Sequence, residues 1–164
     1  MNIKGNKVTL RAIEREDLPL LHKWSNDATI NYMLGGWHFP SSQQDQEKWF
    51  NSLSLNGTNQ RFAIETEELG LIGMANLVDI NWKDRNAFHG MLLGNKDVRG
   101  KGYGVDTIMT INKYAFEELG LMRMNTTIIS YNEVSVGVYV GFPKNRTVFN
   151  SNLLTLNSNC HNEK

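Results

Sequence analysis

Apolar and polar residues alternate from Lys7 to Ala12. Val8 and Leu10 fall on one side of the chain and Lys7, Thr9 and Arg11 on the other, which predicts a half-buried strand. From Glu16 to Ser25 the spacing lengthens to that of a helix. Leu18, Leu21 and Trp24 form its stripe, Glu16 and Asp17 suit its positive end, and Pro19 is tolerated in its first turn. The stretch from Ile30 to Ser42 breaks both periods: Gly35-Gly36, the aromatic run Trp37-His38-Phe39 and Pro40 predict a loop with something to contact. Ser41 or Ser42 then caps a second helix that turns Trp49, Phe50 and Leu53 toward the core.

Three strands follow, at Arg61–Thr66, Leu71–Ile80 and Ala87–Leu93. The turn-rich stretches Glu67–Gly70 and Lys83–Asn86 between them imply an antiparallel meander. Beyond Tyr103 the period becomes helical again. Val105, Ile108, Met109, Ala115, Phe116 and Leu119 are expected on the apolar face, with Asp106, Lys113 and Glu117 opposite. Gly120 reads as the left-handed residue that stops this helix, with Leu121 folding back on Phe116. Met124–Ser130 is a β-branched run whose strand–helix–strand return favours parallel pairing with the strand before it. In the tail, Thr147-Val148-Phe149 and Leu153–Leu156 flank the turn-like Asn150-Ser151-Asn152, the pattern of a short hairpin.

The 164 residues match one domain, residues 1–164, with 143–164 atypical in composition. Lys plus Arg and Asp plus Glu both number 17, so no overall field draws the protein to nucleic acid or to an anionic membrane. Cys160 has no second cysteine to pair with, the start lacks an apolar signal core, and no apolar run is long enough to span a bilayer. A cytoplasmic location is therefore expected. His22, His38, His89 and His161 lack the spacing of a metal site, and none is expected.

The chemistry concentrates between the third meander strand and the long helix, at Gly94 to Gly104. Glycine lets a ligand approach the backbone, and the first amides of a helix lack internal partners, so the two together make an anion site. Arg99 and Lys101 add positive charge there, which suits a pyrophosphate. Glycines at 100, 102 and 104 match neither a dinucleotide fingerprint nor a P-loop.

Arg99-x-x-Gly102-x-Gly104, on the turn from an antiparallel strand into a long helix, resembles the coenzyme A signature of the GNAT superfamily of N-acetyltransferases. The segments "VTLRAIEREDLPLLHKWSND", "LIGMANL", "KDVRGKGYG", "YAFEELGL" and "NEVSVGVY" follow the order of its branch resembling ribosomal-protein alanine and spermidine N-acetyltransferases. The resemblance implies an α+β fold: a GNAT-like mixed, mostly antiparallel twisted sheet flanked by helices, in the order β-α-α-β-β-β-α-β-α. It implies acetyl-CoA as co-substrate and an acetyl group passed by direct attack to a primary amine of a small molecule or a protein N-terminus. The amides of Arg99, Gly100, Lys101, Gly102, Tyr103 and Gly104 would hold the pyrophosphate. The strand end Met91, Leu92 and Leu93 would pair with the pantetheine arm, and Asn132 would contact the coenzyme through its amide. Asn132 also reads as a plain helix cap before Glu133.

Tyr139 matches the family's general acid, a group able to give a proton to the departing thiolate. The base is open. Phe88 stands where relatives often carry glutamate, and His89 and Asp79 are the local candidates, with His89 on the sheet face opposite Phe88. The segment Tyr139-Val140-Gly141-Phe142 is shorter than the family pattern, and residues 143–164 lack its usual hairpin signals. A second reading therefore stands beside the first, a coenzyme-A-binding relative without transferase activity. Trp37, His38 and Phe39 would wall the acceptor pocket. With no carboxylate cluster in the Ile30–Ser42 loop before Asp45 and Glu47, a polyamine ranks below a less charged amine. A poorly closed sheet edge would favour pairing of two copies as a homodimer.

Overall fold

A computed structural model describes residues 1–35, 39–140, 145–150 and 153–159, the last two segments and Val140 by backbone alone. Trp37, His38 and Cys160 lie outside the described residues.

Two short strands, β1 (Ile3–Lys4) and β2 (Thr9–Arg11), open the chain, the first of them too brief to leave a period in the sequence. A 3-10 turn at Arg15–Asp17 leads into α1 (Leu18–Ser25). Next comes α2 (Ala28–Leu34), which overturns the expectation of a loop from Ile30 onward. The Asp27 carboxylate accepts the N–H groups of Thr29 and Ile30 and starts this helix, and Gly35 stops it with φ +59°, a conformation only glycine adopts cheaply. Helix α3 (Gln43–Asn51) begins at Ser42, whose hydroxyl caps the Asp45 N–H, and half-buries Trp49 and Phe50.

Strands β3 (Gln60–Thr66), β4 (Gly70–Asn81) and β5 (Asn86–Leu93) form the expected meander. Helix α4 (Tyr103–Lys113), extended by a π-helical turn at Tyr114–Glu118, returns the chain to β6 (Arg123–Ile129), parallel to β5. Gly120 ends the helical stretch at φ +67° and Leu121 is buried. Helix α5 (Glu133–Val140) and the hairpin β7 (Asn145–Asn150) and β8 (Leu153–Asn159) complete an eight-stranded sheet ordered β1-β2-β3-β4-β5-β6-β8-β7. β8 pairs with β6 along its whole length, Arg123 to Ile129, so the hairpin closes that side of the sheet.

Each sheet face carries its own core. Leu10, Ile64, Ile72, Leu77 and Met124 pack beneath Ile111 and Ala115, while Ala63 and Leu71 meet Leu18, Leu21, Trp24 and Ile30 on the other side. A fully buried leucine or isoleucine contributes roughly 1.5–3 kcal/mol.

The buried face of α4 departs from its expected stripe. Val105 and Met109 are exposed, whereas Asp106, Thr107 and Thr110 are buried beside Ile108 and Ile111. The cause is Asp106: its carboxylate accepts the N–H groups of Asn6, Lys7 and Val8, which turns a polar residue inward against the β1–β2 turn.

Candidate active site

The site begins with a failure of pairing. β5 and β6 are joined only at Asn86–Phe88 against Arg123–Asn125. Beyond that point β5 stays with β4 as far as Leu93, and β6 stays with β8 as far as Ile129, so the two strands diverge. Their facing edges, residues 89–93 and 126–129, have no strand partner among the described residues. Sheet edges left open in this way present N–H and C=O groups that a ligand can pair with.

A cleft of about 530 Å³ opens beside the free end of β5. Met91, Leu92 and Leu93 line it from β5, Val134, Ser135 and Val138 from α5, and Met33 and Leu34 from the end of α2. The glycine turn forms its mouth, where Arg99, Gly100, Gly102 and Gly104 also line it. Lys101 and Tyr103 belong to the same turn but do not line the cleft. The Lys101 carbonyl accepts the Lys7 ammonium at 2.8 Å, and the Tyr103 ring lies 5.8 Å from that ammonium.

The turn is shaped by the chain around it. After a 3-10 turn at Lys96–Val98, the Arg99 N–H returns to the Lys96 carbonyl, and Gly102 caps α4 at φ +84°. Asp106 is the first helical residue whose amide reaches back to a backbone carbonyl, that of Gly102. The amides of residues 103–105 precede it at the positive end of the helix. At Gly104 an added Cβ would lie 3.1 Å from Met91 Cε, so the absence of a side chain keeps the cleft open between helix and strand. These features fit a coenzyme A: an anion cradle at the mouth, an open strand edge along one wall, and apolar side chains on the other.

Asn132 borders the cleft, and its side chain is engaged at both ends. Its Oδ1 accepts the Ser135 N–H and caps α5, while its Nδ2 donates to the Met33 carbonyl at 2.8 Å. Beside it the Tyr131 hydroxyl donates to the Tyr32 carbonyl, and the two tyrosine rings stack with centroids 4.7 Å apart. This clasp ties α2 to the β6–α5 junction and fixes the width of the cleft. Its partners stand 99 residues apart in sequence, so nothing local announces it.

Tyr139 sits just behind the cleft wall, packed with Ile108 and Ile128 and 6% exposed. Burial drives its hydroxyl well above the usual phenol value, with hydrogen bonding to Thr126 pulling the other way. The hydroxyl lies 3.5 Å from His89 Nδ1, and burial lowers His89 to about 4, so the imidazole is neutral. His89 thus faces α4 and α5, while Phe88 points to the opposite face and is part-exposed. Asp79 sits at an irregularity of β4 with φ +52°, and it does not line the cleft.

Comparison with known proteins agrees with this geometry. The model of the acetyltransferase (GNAT) domain family matches residues 7–141. An uncharacterized prophage-derived N-acetyltransferase of Bacillus subtilis, YokL, is 28% identical, covering 85% of this chain and 78% of its own. A spermidine N(1)-acetyltransferase of Vibrio cholerae is also 28% identical, covering 82% and 77%. The crystal structure of a Vibrio cholerae spermidine N-acetyltransferase in complex with CoA and spermine shares the fold, with a TM-score of 0.83 at 23% identity over 93% of this chain and 95% of that one. The chain belongs to the acetyltransferase (GNAT) domain family and is an acetyl-CoA-dependent N-acetyltransferase.

Proposed function

We propose that this chain acetylates a primary amine of low charge, on a small molecule or a protein N-terminus, with Arg99–Gly104 as the pyrophosphate site and Tyr139 as proton donor. The observation that carries the reading is the divergence of β5 from β6 with the glycine turn at its mouth. Acetyl-CoA supplies the acetyl group as a thioester. The chain's residues bind and orient it: free amides of residues 103–105 and the charge of Arg99 at the anionic end, and the β5 edge at Met91–Leu93 along the arm. From Leu93 back to His89 that edge spans roughly 13 Å. It leads from the mouth to the vertex, where Tyr139 stands ready to protonate the sulfur as the C–S bond breaks and the amine nitrogen takes the acetyl carbon. Asn132 supports the site by holding α2 against α5.

The choice of a weakly charged acceptor rests on four carboxylates near the first three helices that already have partners within the chain. Asp17 is paired with Arg11, Glu47 with Arg15, Asp45 with Ser42, and Asp27 caps α2. A polyamine is the second reading, spermidine being named for three of the relatives. Thiol release measured across a panel containing a monoamine, a short peptide with a free N-terminus and spermidine separates them. Faster turnover of the monoamine or peptide is expected, and preference for spermidine would overturn the acceptor assignment.

A further inference from the structure

We propose that His89 is a positioning residue for acetyl transfer: as its Nδ1–H tautomer it donates a hydrogen bond to Tyr139 Oη and turns the tyrosine's own proton toward the cleft. This rests on the reading of Tyr139 as proton donor.

His89 and Thr126 are the first residues beyond the last β5–β6 pair, Phe88 with Asn125. They flank the vertex of the divergence, and the Tyr139 hydroxyl lies 3.5 Å from His89 Nδ1. A phenol hydroxyl accepts as well as donates, so two arrangements compete. If Tyr139 gave its proton to Nδ1, that proton would be engaged with the imidazole rather than left for the sulfur, and the imidazole would carry its own hydrogen on Nε2. If Nδ1 carries the hydrogen, the buried N–H is satisfied by Oη and the tyrosine proton is free to face the reaction. Tyr139 can give its proton to the sulfur only in the second arrangement, so the proton-donor reading assigns the hydrogen to Nδ1.

The same bond assists the transfer step. When the proton passes from Oη to the leaving sulfur, negative charge develops on a buried phenolate, and an N–H already aimed at that oxygen stabilises it without rearrangement. His89 gives up no proton: the imidazole stays neutral before and after, the amine nitrogen releases one proton to solvent as the amide forms, and Tyr139 regains from solvent the one it gave to sulfur.

Steady-state kinetics of the full chain, with acetyl-CoA and the best amine of the panel, tests this. Tyr139→Phe should lower kcat by about 100-fold. His89→Leu should lower kcat by about tenfold, with KM for acetyl-CoA within about twofold. His89→Asn should recover most of the loss, because its amide N–H stands near the position of Nδ1–H. The double variant His89→Leu with Tyr139→Phe should be no slower than Tyr139→Phe alone. Wild-type kcat in His89→Leu, or multiplied losses in the double variant, overturns the inference. Wild-type kcat in Tyr139→Phe instead removes the proton-donor reading beneath it. Should His89→Leu fail to fold, nitrogen NMR of the wild-type imidazole decides alone: an Nδ1–H tautomer supports the inference and an Nε2–H tautomer overturns it.

Discussion

The carboxylate of Asp106, in the first turn of α4, accepts the backbone N–H of Lys7 at 2.7 Å, and the same side chain holds Asn6 and Val8. Lys7 in turn reaches the Lys101 carbonyl, so the β1–β2 turn and the glycine turn brace each other. Replacing Asp106 by alanine leaves three amides without their acceptor. We expect a loss of about 2–4 kcal/mol in urea unfolding. Stability equal to the wild type would show that the clasp contributes nothing.

The neutral His89 predicts an acid limb in stability. Its value near 4 in the fold lies below the 6.5 of an unperturbed histidine, because burial penalises the charged form. Between those values the unfolded chain binds a proton that the folded chain does not, so stability falls as pH drops through this window, by up to about 3 kcal/mol. The contribution is fully present above 6.5 and gone near 4. Tyr139, the titratable group in contact with His89, stays protonated throughout. Urea midpoints measured across this range should decline in the wild type and flatten in His89→Asn.

A substitution at Gly104 tests the proposed coenzyme site. Valine there would set its methyl groups against Met91 Cε and Leu93 Cδ1, between the helix end and the strand edge. We expect KM for acetyl-CoA to rise by at least about tenfold while kcat at saturation changes little, the pattern of lost uniform binding. An unchanged KM would place the coenzyme elsewhere.

Asn132→Ala removes both the α5 cap and the bond to Met33. A cap of this kind is worth about 1 kcal/mol, and the Met33 bond adds a similar amount. The variant should melt several degrees lower and bind acetyl-CoA more weakly as α2 loosens. Thermal melts and calorimetry check the two effects separately.

The strand periods of the meander, a cap at Ser41 or Ser42 and the stop at Gly120 were legible because each depends on neighbours a few positions away, and the strand–helix–strand order implied the parallel return of β6. The glycine turn was legible for the same reason. Helix α2 was not: its start depends on the Asp27 carboxylate, and the aromatic and glycine signals after it drew attention to the loop instead. The inward face of α4 was misread because three amides nearly a hundred residues earlier made burial of Asp106 favourable.

By itself, the order of residues along this chain determined the family, the strand and helix alternation, and a glycine-rich turn at Arg99–Gly104 ahead of α4. Local periodicity and glycine chemistry are written in adjacent positions. Only the tertiary structure decided where β5 leaves β6, that His89 meets Tyr139 at that vertex, and that Asn132 spends its side chain holding α2. Those facts follow from which distant segments share a boundary, and contact across the sheet leaves no period in the sequence.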